Sequence, residues 1–114
     1  MRRRNLKAKA DHASSAPLFA ALGDETRLRL VSRLCDGGPA SITQLTAGSG
    51  ITRQAITKHL RMMQTSGLVR CTRQGRESLW RLEHHRLEEA RRYLDLIAKQ
   101  WDDALARLRE FVER

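Results

Sequence analysis

A chain of 114 residues with 22 Lys and Arg against 13 Asp and Glu, a formal net charge of +9, has room for one modest core and a surface that attracts polyanions. Two cysteines are too few and too separated for a disulfide framework, and no apolar run approaches the length of a membrane span. Disulfide-stapled and membrane-spanning classes are therefore set aside, and a cytoplasmic, nucleoid-associated location is expected.

The positive charge is unevenly spread. Residues 1–82 hold 15 Lys and Arg against 5 Asp and Glu, and residues 83–114 hold 7 against 8. A polyanion-binding body with a near-neutral appendage is the expectation.

Residues 1–13 are basic and polar and read as a flexible arm able to supply phosphate contacts. Ser14 and Ser15 before Pro17 suit the first turn of a short helix carrying Leu18, Phe19 and Leu22, which Gly23 ends. Asp24 caps a second helix through about Leu34, with Leu28, Leu30, Val31 and Leu34 as its buried side. Asp36-Gly37-Gly38-Pro39 stops it. Ser41 opens a third, short helix, and Gln44 three residues on completes a capping-box pattern. Thr46-Ala47-Gly48-Ser49-Gly50 then turns the chain into the stretch on which the reading hinges.

Thr52 is a suitable N-cap and Gly67 a suitable stop for a fourth helix. Ile56, Leu60 and Met63 give it one apolar face. Gln54, Thr57, Lys58 and Arg61 lie at i, i+3, i+4 and i+7 and form a second stripe about opposite. An amide, a hydroxyl and two cations in a row can hydrogen-bond base edges and phosphates in a major groove. Two short helices joined by a glycine-containing turn, the second basic, make a helix-turn-helix.

Residues 68–73 and 76–82 flank Gln74-Gly75 and read as a β-hairpin. A two-residue turn there pairs Arg73 with Arg76, Cys71 with Ser78 and Val69 with Trp80. Val69, Cys71, Trp80 and Leu82 then share an inward face. The like charges at the tip favour a wing that touches a phosphate. From Glu83 onward Leu87, Ala90, Leu94, Ile97, Trp101, Ala104, Leu108 and Phe111 recur at alternating spacings of three and four. Such a helix spans roughly 45 Å at 1.5 Å per residue, against a radius of gyration of about 13 Å for a chain this size. Much of its seam should overhang its own core and seek a second copy of the chain.

In this order, residues 19–30 (Phe-Ala-Ala-Leu-Gly-Asp-Glu-Thr-Arg-Leu-Arg-Leu), residues 52–60 (Thr-Arg-Gln-Ala-Ile-Thr-Lys-His-Leu) and residues 66–69 (Ser-Gly-Leu-Val) resemble the ArsR-type family of bacterial winged helix-turn-helix repressors. The resemblance implies a mainly α fold of order α-α-α-α-β-β-α with a small hairpin. It also implies a homodimer through the first and last helices and binding to a palindromic operator in double-stranded DNA. The expected organisation is an arm (1–13), a DNA-binding core (14–82) and a dimerisation helix (83–114). The candidate recognition residues are Thr52, Arg53, Gln54, Thr57, Lys58, His59 and Arg61, and the candidate wing residues are Arg73, Gln74 and Arg76. Leu18, Leu87, Leu94, Ile97, Trp101, Leu108 and Phe111 are the candidate dimer contacts.

The chain departs from the family's metal sensors. Residues 41–46 hold no cysteine where the resemblance places a thiolate pair, and His84 and His85 are adjacent, so they project in different directions. No metal and no cofactor are expected. Cys35 and Cys71 read as small apolar fillers, with Cys71 the closer to basic residues. The residues leave any effector open. An enzyme is not expected, since no Ser/His/Asp or Cys/His grouping and no phosphate-cradling loop is present. The alternative is a non-specific architectural or RNA-binding winged helix. The scarcity of aromatics, with Trp80 and Trp101 on packing faces, argues against base stacking.

Overall fold

The computed structural model describes residues 2–113, with side chains from 12 onward. Five helices and one hairpin follow in the expected order: α1 (Arg2–Leu22), α2 (Glu25–Gly37), α3 (Ile42–Thr46), α4 (Arg53–Thr65), β1 (Val69–Gln74), β2 (Glu77–Leu82) and α5 (His84–Val112). Asp24 caps α2 by accepting the Arg27 backbone N–H at 3.0 Å. The capping box of α3 is complete: Ser41 Oγ accepts the Gln44 N–H at 3.2 Å, and Gln44 Oε1 accepts the Ser41 N–H at 2.9 Å.

The core sits where α1, α2, α3 and α4 meet the inner face of the hairpin. Leu18, Leu45, Ile56, Leu60, Met63 and Leu68 are its fully enclosed side chains. β2 is fixed to the α2–α3 loop by a reciprocal pair of backbone bonds, Ala40 N–H to Trp80 O at 3.0 Å and Trp80 N–H to Ala40 O at 2.8 Å. The hairpin is thus anchored at its base and projects its turn.

Five expectations need correction. The first helix does not begin at Ser14: α1 runs through it, and Pro17 lies inside the helix. Proline removes one helical N–H, and its ring faces solvent, where the freed carbonyl one turn back can bond water. The arm's proposed phosphate contacts fall on side chains outside the described residues. Leu28 is 50% exposed, because α2 buries the Leu30–Leu34 edge and turns Leu28 outward. Cys35 is exposed, on the outer side of the same helix, and so fills no core space. Leu18 is 0% exposed within its own protomer and cannot be a dimer contact.

The fifth correction is the hairpin register. Val69 faces Leu82, Cys71 faces Trp80, Arg73 faces Ser78 and Gln74 faces Glu77. The turn is Gly75-Arg76, with Gly75 at φ +65°, a left-handed conformation that glycine adopts without strain. The two registers differ by two residues, so the inward face survives the shift. The Arg73–Arg76 pair does not survive it.

α5 leaves the body. Leu87 and Ala90 pack on the core, whereas Leu94, Ile97, Trp101, Leu105, Leu108, Phe111 and Val112 are all exposed. The chain measures 66 × 31 × 20 Å with a radius of gyration of 18.6 Å. No helix among the described residues is long and apolar enough to cross a membrane.

Candidate nucleic-acid interface

α4 is held at both ends and along one face. Thr52 Oγ1 accepts the Ala55 N–H at 3.1 Å, so this candidate contact is first of all the N-cap. At the other end Leu68 N–H reaches Met63 O at 2.9 Å and Gly67 N–H reaches Gln64 O at 3.0 Å, with Gly67 at φ +80°. This double closure needs a left-handed residue there, which is why the helix ends at a glycine. Ile56, Leu60 and Met63 are 0% exposed, which fixes the rotation of the helix about its axis.

The opposite stripe is consequently aimed outward. Gln54, Lys58 and Arg61 are exposed and have no hydrogen bond or ion pair from their side chains among the described residues. Thr57 is half-buried, and its hydroxyl donates to Arg53 O at 2.8 Å, leaving its oxygen only as an acceptor. Arg53 reaches back over α3 and donates to Thr43 Oγ1 at 3.0 Å. His59 lies on the flank of the stripe, with Nδ1 3.2 Å from Arg27 Nη1.

α2 braces both helices of the helix-turn-helix. Arg33 donates through Nη2 to Gln44 O and through Nη1 to Ala47 O at 3.5 Å, satisfying carbonyls at the end of α3. Arg27 reaches α4 through His59. Sequence reasoning missed both arginines, and for Arg27 a signal exists. Arg27 is the third residue of α2, and a cation in the first turn opposes the helix dipole, which flags a partner elsewhere. The Asp24 carboxyl lies below the ordinary carboxylate range, chiefly because the Arg27 N–H donates to it; partial burial opposes this and the Arg27 charge adds to it.

On the wing, Arg73, Gln74 and Arg76 are all exposed. Arg76 occupies the turn itself, and Glu77 follows it opposite Gln74. Among the described residues no three His, Cys, Asp or Glu side chains come together as a metal site requires. His84 and His85 are both exposed, with His85 Nδ1 3.3 Å from Glu83 Oε2.

Residues 22–72 match the model of a helix-turn-helix domain family. The HTH-type transcriptional regulator CmtR of Mycobacterium tuberculosis is 34% identical over 85 residues, covering 75% of this chain and 71% of the relative. A solved ArsR-like transcriptional regulator from Rhodococcus sp. RHA1 is 36% identical, with a TM-score of 0.80 over 88% of this chain and 93% of that one.

The chain belongs to the ArsR-like family of transcriptional regulators.

Its fold is the winged helix-turn-helix of that family, and α4 occupies the place of the second, DNA-reading helix. The transcriptional repressor BigR from Xylella fastidiosa shares it at 26% identity, with a TM-score of 0.60 over 86% of this chain and 95% of that one. As an ArsR-like regulator the chain is a DNA-binding protein.

Proposed function

We propose that this ArsR-like regulator is a repressor that binds a two-fold symmetric operator as a homodimer. Residues 14–82 form the DNA-binding body and residues 83–114 the dimerisation helix. The observation that carries the reading is the outward stripe of α4: Gln54, Lys58 and Arg61 are unengaged, and the helix behind them is locked by three enclosed side chains. An amide and two cations presented on a rigid helix suit base edges and phosphates of a major groove. Thr52, Arg53 and Thr57 support that face, and Arg73, Gln74 and Arg76 bring the wing to the backbone.

The dimer follows from α5. Leu94, Ile97, Trp101, Leu108 and Phe111 lie exposed along one side, and Leu105 and Val112 widen it. An apolar face of that extent on an isolated protomer invites association, and a self-complementary helix pair closes it with two-fold symmetry. Two copies of α4 then read half-sites about one helical turn, roughly 34 Å, apart.

Selection of bound duplexes from a random pool, followed by footprinting of the winners, is the test. A bounded inverted repeat is expected. Uniform coating of every duplex, or equal selection of RNA, sinks the reading.

A further inference from the structure

We propose that Arg27 is a positioning residue for DNA binding. It holds the His59 imidazole as a neutral donor whose Nε2–H faces a backbone phosphate, and it ties that pose to the end of α1. The proposal rests on the reading of α4 as the DNA-reading helix.

The Arg27 guanidinium is divided between two elements. Nε donates to Ala21 O at 2.7 Å and Nη2 to Ala20 O at 3.4 Å, both in the last turn of α1, where Ala20 O also accepts the Gly23 N–H at 3.2 Å. Nη1 lies 3.2 Å from His59 Nδ1 on α4, 32 residues further along the chain. A guanidinium has donors only and does not lose its proton, so Nδ1 is the acceptor. The single proton of the neutral ring therefore sits on Nε2.

Nε2 has no partner among the described residues. It is also not sealed from water, since Trp80 Nε1 is the buried side-chain nitrogen left without one. The ring thus turns a fixed N–H outward. His59 lies beside the Gln54–Lys58–Arg61 stripe rather than on it, and the flank of a helix seated in a groove meets the sugar–phosphate wall. A neutral donor suits a phosphate oxygen there, and it displaces no counterion of its own. The Asp24 carboxylate accepts the Arg27 backbone N–H at 3.0 Å, which ties the start of α2 to the same corner of the fold.

The first experiment uses the free, full-length, 15N-labelled protein at a pH where imidazoles are neutral. Long-range 1H–15N spectra, assigned to His59 by the signals that vanish in His59→Gln, should show a bare Nδ1 and a protonated Nε2. A proton on Nδ1 overturns the proposal. Arg27→Lys should draw the two nitrogen shifts together as the ring begins to exchange tautomers; unchanged shifts also overturn it.

The second experiment compares DNA affinity across substitutions of the ring. Gln places an amide N–H near the position of Nε2 and Asn places one near Nδ1. His59→Gln should bind within about twofold of the parent, whereas His59→Asn and His59→Ala should lose about tenfold per contact. The slope of log K against log salt should stay unchanged in all three, because no charge is lost. Lys58→Ala separates the two readings. A loss there with none in His59→Ala defeats this proposal alone, and no loss in either defeats the assignment of α4 together with it.

Discussion

Arg86 donates through Nη2 to the backbone oxygen of Ser14, 2.6 Å away and 72 residues earlier in the chain. The same guanidinium reaches Ser14 Oγ at 3.1 Å, Ser66 O at 2.9 Å and Glu89 Oε2 at 2.6 Å. One side chain at the start of α5 therefore joins α1, the end of α4 and its own helix. These are the elements that connect the overhanging helix to α4.

Arg86→Ala should lower unfolding stability by about 1–2 kcal/mol, because the half-buried Ser66 carbonyl and the exposed Ser14 carbonyl lose a charged donor. Arg86→Lys should recover only part of that, since an ammonium cannot reproduce the planar fork that bonds four acceptors at once. Urea titrations at one fixed protein concentration decide it. A lysine variant as stable as the parent would remove the role given to the fork.

Much of the fold is legible in the sequence because its signals are local. The Ser41/Gln44 capping box, the Gly67 stop and the three-four spacing of α5 each need only neighbouring residues, and each is present. Arg27, Arg33 and Arg86 act through acceptors 6 to 72 residues away, which no periodicity encodes. In the sequence they register only as charge. The hairpin register fell between two turns that both place Gly75 in the loop, and both keep the same residues inward. Pattern alone could not separate them. Leu28 and Leu18 show the complementary limit: helical spacing says that a face is apolar, but not which neighbour covers it.

The pH dependence of stability offers a cleaner test at Asp24. Its carboxyl is lowered chiefly by the Arg27 N–H, so the stabilisation from its charge is complete above the unfolded carboxylate value of about 4. It is lost as pH falls through the still lower folded value. Asn caps a helix about as well as Asp, so Asp24→Asn isolates the charge. The gap between the two urea midpoints should close as pH falls below about 4. A gap that persists unchanged through acid contradicts the assignment.

Trp101 tests the dimer. It is 65% exposed in the protomer, mid-way along the apolar side of α5, so Trp101→Asp has nothing to disrupt in the winged body. In a helix-to-helix interface the same change strands a charge in apolar surroundings. The variant should keep its helical circular dichroism, become monomeric by sedimentation equilibrium and lose operator binding, because one half-site supplies too few contacts. A variant still dimeric at micromolar concentration would remove this face from the interface.

The reading helix and the wing should fail in different ways. Gln54 stands near the N-terminus of α4, exposed and unengaged, in the part that a docked recognition helix places deepest. Gln54→Ala should lose discrimination of about 1–3 kcal/mol for each bidentate base contact while leaving affinity for scrambled duplex unchanged. Arg76 occupies the hairpin turn, and Gly75 before it supplies the left-handed conformation that projects it. A cation carried there meets the phosphate backbone, which carries no sequence information. Arg76→Ala should weaken operator and scrambled duplex alike and reduce the slope of log K against log salt by about 0.9 per lost contact, nearly 2 per dimer. The neighbouring Glu77 sharpens the test: Glu77→Gln removes a negative charge beside the same phosphate and should tighten both duplexes. A salt titration of the three variants on both DNAs reads every slope. Should Gln54→Ala weaken both duplexes equally while Arg76→Ala affects the operator alone, the helix and the wing have exchanged roles.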